Sequence, residues 1–362
     1  MESQLVNQTS ESDWFPSRFQ AHRFRLLANG IDIHDLETTL SRVKEWKDWC
    51  QAWSETAASH EKRAEEALRQ GCSMTSAQYF LRAASCYHFG QNLFYEDLEQ
   101  KAEAHNRKIE AFRKGSPSLS PSPVRVEIPF DGITMAAYLR IPQSTAKVPC
   151  VVLVPGSDAS KEEFYPREQY FLDRGMATLS LDGPGQGETW FKMRMRLDYE
   201  KAISAAIDYL QLQSHIDETK IGLWGGSFAG YLVVRGAAFD KRIRACVENC
   251  GPFEISYYRW DDLLRLRRFN YLWGTANAQE AQSIAKKVTL AGVIEKVECP
   301  LLVIHGKTDP VTPYEEAIKI HAGAKCEKEL WLFDEGNHLT HNLHHIVRPI
   351  TADWMQRKLA QN

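Results

Sequence analysis

Two rhythms of hydrophobic and polar positions divide the chain. From Asp35 to Gln70, Leu36, Leu40, Val43, Trp46, Cys50, Trp53, Ala57, Ala64 and Leu68 recur at steps of three and four. That spacing predicts helix, with Gly71 as its stop. Thr75-x-x-Gln78 reads as a capping box opening a second helix to about Tyr95. A third, highly charged helix is expected from Asp97 to Lys114. Trp14, Phe15 and Phe19 suggest that residues 1–30 pack as an arm or short helix. The aromatic residues of the helices (Trp46, Trp49, Trp53, Tyr79, Phe80, Tyr87, Phe89, Phe94, Tyr95) are expected in a core, with some available to a ligand cavity at a domain boundary.

The second rhythm begins after the Ser/Pro-rich run Gly115–Pro123, a linker by composition. Val124–Pro129 and Ile133–Ile141 alternate around Asp131-Gly132, predicting a β-hairpin. Val148–Pro155 and Ala177–Asp182 are nearly continuous apolar runs, as in parallel strands buried on both faces. A helix is expected over about 162–174, and further strands near 220–224, 243–248, 300–305 and 329–333. Strands alternating with helices predict an α/β fold with a doubly wound, mostly parallel sheet. The expected domains are a helical N-terminal domain (1–115), a linker (116–123) and an α/β domain (124–362). About fifty residues, 251–299, interrupt the alternation; they read as a helical, aromatic-rich insertion serving as a lid.

Composition narrows the function classes. Hydrophobic residues are 43%, charged residues 25% and net charge −3, which points away from nucleic acid and anionic membrane surfaces as partners. No apolar run reaches the ~20 residues of a membrane span, and no signal-peptide pattern opens the chain. Eight scattered cysteines without metal-type pairing fit a reducing, cytoplasmic setting.

The chemistry centres on Lys220-Ile-Gly-Leu-Trp-Gly-Gly-Ser-Phe-Ala-Gly230. An apolar strand, a tight turn carrying Ser227 and a following helix make a nucleophile elbow. The motif G-x-S-x-G is not met to the letter: Ala229 stands in its last place and Gly230 comes one residue later. Two later strands are followed by Asp309 and His338. The order Ser, Asp, His, each on a loop after a strand, is that of α/β-hydrolases. Ser227 is then the nucleophile, His338 its base and Asp309 the acid that orients the base. Phe228 N–H and an N–H at Gly156 or Ser157 are the expected oxyanion hole. Glu248, at a strand end beside the elbow, is a candidate second acid or substrate contact, or else a structural hydrogen-bonding group. Asp182-Gly-Pro-Gly-Gln-Gly187 lacks the lysine of a phosphate loop and reads as a turn shaping the pocket, while Asp158 and Lys161 are ambiguous. His341, His344 and His345 read as surface or packing residues; no metal is expected.

With these residues placed, the chain resembles the 2,6-dihydroxypseudooxynicotine hydrolase family of α/β-hydrolases, which carry a helical N-terminal domain. The resemblance runs from Trp46-Lys-Asp-Trp-Cys50 through Ser160-Lys-Glu-Glu163, Asp173-Arg-Gly-Met-Ala177, Asp182-Gly-Pro-Gly-Gln-Gly-Glu188 and Asn337-His-Leu-Thr-His-Asn342 to the C-terminal helix. Fungal hydrolases that shorten polyketide chains are similar in design. The resemblance implies cleavage of carbon–carbon bonds beside a carbonyl in a small aromatic or ketonic substrate, without cofactor, by a homodimer. A carboxylesterase or lactonase would use the same three residues. A non-catalytic binding protein of this fold commonly lacks one of them.

Overall fold

The computed structural model describes residues 22–361; of the arm expected over residues 1–30, Trp14, Phe15 and Phe19 lie outside them, while residues 22–28 are helical. Backbone packing divides the chain into two units, Met1–Ala111 and Phe112–Asn362.

In the first unit the long predicted helix is two. Helix α1 (Ile33–Leu40) ends at Ser41, and α2 (Trp49–Arg69) starts after a short turn at Trp46–Asp48. The Asp48 carboxylate accepts from the backbone N–H groups of Lys44 (3.1 Å) and Glu45 (3.0 Å). That local bonding competes with helix, and the three-four pattern runs across it because both segments face one core. Helix α3 (Ser73–Gln91) begins at Ser73 after Cys72, with no side-chain cap. Thr75 therefore lies inside the first turn, and the predicted capping box does not form. Helix α4 (Leu98–Gly115) follows Asp97, whose carboxylate accepts from Glu99 and Gln100 N–H. Trp49, Trp53, Phe80, Tyr87, Phe89 and Phe94 are buried. Gly90 lets α2 and α3 touch: a Cβ there would lie 2.9 Å from Trp53 Cβ.

The second unit is built on one eight-stranded sheet of order β1-β2-β4-β3-β5-β6-β7-β8. The hairpin β1 (Val124–Phe130) and β2 (Ile133–Arg140) is antiparallel and joins β4 (Ala177–Asp182) antiparallel. From β4 onward, β3 (Val148–Val154), β5 (Ile216–Gly226), β6 (Ile243–Asn249), β7 (Leu301–Gly306) and β8 (Lys328–Phe333) pair in parallel. Successive residues face opposite cores. Val152, Val154, Leu301 and Val303 pack with α6 (Glu200–Gln211) and α7 (Phe228–Phe239). Val151, Leu153, Leu302 and Ile304 pack with α5 (Tyr165–Leu172) and α11 (His344–Ala360). The sheet is thus doubly wound, as the alternation predicted.

The insertion between β6 and β7 contains α8 (Leu263–Trp273) and α9 (Ala278–Ala285); α10 (Glu315–Gly323) follows β7. Phe269, Tyr258, Trp260 and Trp273 form one aromatic cluster in the insertion. Phe269 meets the Phe228 ring edge to face at 5.9 Å. Among the described residues no helix is long and apolar enough to cross a membrane.

Candidate active site

Ser227 sits between β5 and α7 with φ 58° and ψ −132°, a conformation costly for a non-glycine residue. The bonds around it hold the strain. Its N–H donates to Asn249 O (2.9 Å) at the end of β6, and its carbonyl accepts from Gly230 N–H (2.8 Å). Small residues are needed where the turn folds back. A Cβ on Gly225 would lie 2.7 Å from Val233 Cγ1, and one on Gly230 would lie 2.8 Å from Gly251 Cα. Ala229, by contrast, is buried with its methyl in the core. The close approach falls at Gly230 rather than at 229, so alanine fits the departure from the textual motif.

The structure brings Ser227, His338 and Asp309 together. His338 Nε2 is 2.9 Å from Ser227 Oγ, and His338 Nδ1 is 2.7 Å from Asp309 Oδ2. The other Asp309 oxygen accepts from Val311 N–H (2.7 Å) and Thr312 N–H (3.0 Å). Burial alone would raise the Asp309 carboxyl; the charge of His338 and hydrogen bonds from His305 and His338 outweigh it and hold the group well below the ordinary carboxylate range. Asp309 therefore stays charged wherever the imidazole is useful as a base.

The two loops that carry these groups brace each other. Lys307 N–H donates to Phe333 O (2.8 Å) and Thr308 N–H to Gly336 O (3.0 Å). Asn337 and Asn342 exchange side-chain-to-backbone bonds across the His338 loop, at 2.9 and 3.2 Å. His341 is buried in this loop and His344 opens α11.

Phe228 is the first residue of α7, so its N–H has no intrahelical acceptor and points with the positive end of the helix dipole. Gly156 lies against Ser227: a Cβ there would be 3.6 Å from Ser227 Cβ. Ser157 follows in the same turn.

The Asp182–Gly187 turn clamps both ends of this loop. Gln186 Nε2 donates to Pro155 O, and Gln186 Oε1 accepts from Gly183 N–H (3.1 Å) and the Tyr199 hydroxyl. At the far end Asp182 Oδ1 accepts from Lys161 N–H (2.8 Å). Lys161, ambiguous in sequence, is fully buried among Glu162, Asp182 and Glu188. Its ammonium stands where a metal would sit among those three carboxylates.

Glu248 is fully buried behind the elbow, with Oε1 accepting from Gly251 N–H. No hydrogen bond joins it to Ser227 or His338 among the described residues. Burial pushes its carboxyl up to about 8. Sequence reasoning missed His305, which is buried with Nε2 2.9 Å from Thr312 O and 3.3 Å from Asp309 Oδ2. A histidine inside the apolar run Leu301–Gly306 was the available signal. It also missed Cys250, which lies with Asp309 and His338 in one close group.

The model of the prolyl oligopeptidase family matches residues 162–360. A 2,6-dihydropseudooxynicotine hydrolase of Paenarthrobacter nicotinovorans is 32% identical, over 91% of this chain and 90% of that protein. A 20-hydroxy-prefusarin hydrolase of Gibberella moniliformis is 27% identical, over 89% and 90%. The crystal structure of a 2,6-dihydroxy-pseudo-oxynicotine hydrolase superposes with a TM-score of 0.86 at 30% identity, covering 94% of this chain and 96% of the other.

Proposed function

Since the chain belongs to the prolyl oligopeptidase family of α/β-hydrolases, we propose that it is a serine hydrolase cleaving a carbon–carbon bond next to a carbonyl, in a 1,3-diketone, aryl ketone or polyketide-like substrate. The observation that carries the reading is the hydrogen-bonded chain Ser227–His338–Asp309. It stands in a protein similar along nine-tenths of its length to a dihydropseudooxynicotine hydrolase.

The proposed reaction uses the residues in place. Ser227 Oγ adds to the carbonyl carbon while His338 Nε2 takes its proton, and Asp309 stabilises the imidazolium. The oxyanion is held by Phe228 N–H and a second N–H of the Gly156–Ser157 turn. Collapse restores the carbonyl and breaks the carbon–carbon bond. The electron pair leaves on the carbon fragment, which must delocalise it as an enolate or electron-rich ring, and His338 protonates that fragment. His338 then takes a proton from water, hydroxide adds to the acyl ester, and Ser227 leaves with the proton. The products are a carboxylic acid and the protonated fragment. No step needs a cofactor.

The test is a panel of phenolic ketones, β-diketones and aryl esters, with products followed by mass. The reading expects kcat/KM on at least one ketone class to exceed that on the esters. Efficient ester turnover with no ketone cleavage would replace it by a carboxylesterase.

The clamp on the oxyanion loop gives a second prediction. In Gln186→Glu an oxygen replaces the N–H that faces Pro155 O and pushes the loop away. Because removing one oxyanion donor typically costs 10²–10³, a misplaced one should lower kcat by about 10- to 100-fold with KM little changed. Steady-state kinetics on the best panel substrate checks this; an equal rise in KM would place the loop in substrate binding instead.

A further inference from the structure

Behind Asp309 lies a second pair of ionisable groups that the mechanism above does not use. Glu248 on β6 pairs with Val303 on β7. His305 is two residues further along β7, on the same face as Val303, because strand side chains alternate. Glu248 and His305 are therefore near neighbours on one face of the sheet, close enough for the His305 charge to act on the Glu248 carboxyl. Both are fully buried.

The bonding of each leaves one atom over. His305 Nε2 faces two acceptors, Thr312 O at 2.9 Å and Asp309 Oδ2 at 3.3 Å, so this nitrogen must carry a hydrogen. His305 Nδ1 has no protein partner. Glu248 Oε1 takes Gly251 N–H, while Glu248 Oε2 has no protein partner. Buried polar atoms are rarely left unbonded, and these two are complementary. A protonated carboxyl donates to a neutral Nδ1; an imidazolium Nδ1–H donates to a carboxylate. Either way a single proton would join them, directly or across one water.

We propose that Glu248 is a positioning residue: its carboxyl shares a proton with His305 Nδ1, directly or through one water, and so holds the His305 Nε2–H on Asp309. The buried chain then runs Glu248–His305–Asp309–His338–Ser227. The inference rests on the triad reading above. Its logic is that of a catalytic histidine repeated one step back, since the bond at one ring nitrogen fixes which nitrogen bears the proton and how the ring is turned. Burial favours a bound proton on Glu248, and Asp309 and Glu248 together raise His305 against the opposing effect of its own burial.

The test compares the full-length protein with Glu248→Leu and Glu248→Gln. A glutamine amide can donate to Nδ1 and still accept from Gly251; leucine can do neither. Nitrogen NMR of histidine-labelled protein, with His305 assigned through His305→Gln, reads the tautomer directly. The wild type and Glu248→Gln should show His305 protonated at Nε2 with Nδ1 hydrogen-bonded, and Glu248→Leu should lose the Nδ1 bond. Outer-shell partners typically matter by 10–100-fold, so kcat should fall about tenfold in Glu248→Leu with KM unchanged, and Glu248→Gln should recover most of it. Any of three results overturns the proposal: His305 protonated at Nδ1 alone, Glu248→Leu with wild-type kcat and His305 signals, or Glu248→Gln as damaged as Glu248→Leu. The last would make Glu248 a required acid. Ser227→Ala tests the triad separately, because the NMR signature needs no turnover. Full activity in that variant would sink the triad reading while the His305 signals still judge this one.

Discussion

Ser227→Ala is expected to abolish hydrolysis, with kcat lowered by about 10⁴- to 10⁶-fold and the fold intact. Alanine removes the oxygen 2.9 Å from His338 Nε2 but keeps the elbow, whose backbone bonds to Asn249 and Gly230 do not involve the hydroxyl. A companion variant separates nucleophile from base. In Asp309→Asn the side-chain oxygen can still accept from Val311 and Thr312 N–H. The amide then faces His338 Nδ1 and forces that nitrogen to accept. The proton moves to Nε2, and no base remains for Ser227. A loss of about 10⁴ is the expected scale for that wrong tautomer. Single-turnover kinetics on the best substrate, with labelling by a fluorophosphonate, checks both variants. Residual turnover above a hundredth of wild type in Ser227→Ala would mean that another group attacks the carbonyl.

The second large effect concerns stability and lies at Lys161. The ammonium is fully buried, 2.6 Å from Glu162, 2.8 Å from Asp182 and 2.6 Å from Glu188. Burial alone would lower its pKa, but the three carboxylates outweigh it and raise the group well above the ordinary lysine value. Lys161→Met leaves these acids around an apolar side chain. Breaking a buried pair from one side typically costs about 3–5 kcal/mol, and here three partners lose it together. The pH dependence carries a sign. In the wild type the raised lysine stabilises the fold below its ordinary pKa of 10.5, and this is lost only as pH rises through the folded value. Burial opposes the ionised form of Glu188, but Lys161 and Arg125 outweigh it and lower its pKa, so its contribution is present above the ordinary 4.5 and is lost as pH falls. Without Lys161 the carboxyls gain stability by binding protons. Glu248, whose carboxyl is raised to about 8, makes both proteins gain stability on acidification; between about pH 8 and pH 5.5 the variant's Tm should rise more steeply than the wild type's. Circular dichroism melts decide it; parallel pH trends in the two proteins would show that the acids are already neutral in the fold.

The structure also shows where sequence periodicity runs out. The three-four pattern over Asp35–Gln70 identified a core-facing surface but not the break at Ser41–Glu45, because the Asp48 carboxylate that satisfies the turn is a local competitor invisible to a hydrophobic pattern. Thr75-x-x-Gln78 had the letters of a cap, but the chain enters the helix earlier, at Ser73. The central strands were legible because burial on both faces demands apolar runs, as in Val148–Val154 and Ala177–Asp182, and the edge hairpin because its positions alternate. β5 was read several residues short, because its first part carries four consecutive polar residues, Asp217–Lys220, with no apolar run to mark a strand.

What the sequence determined by itself was the order of the parts: a helical segment, then a parallel α/β sheet, with Ser227, Asp309 and His338 each just past a strand. That order follows from local rules of strand, turn and helix, which short windows of residues carry. The tertiary structure alone decided distance and environment. It set Ser227 and His338, 111 positions apart in the chain, at 2.9 Å. It showed Lys161 to be the buried centre of a carboxylate cluster, made Gln186 a clamp on the loop that follows Pro155, and put His305 behind Asp309. Each of these depends on which strands are neighbours in the sheet and on which face a side chain emerges. Those are non-local properties, fixed when β3, β5, β6 and β7 pack side by side rather than by the residues adjacent in sequence.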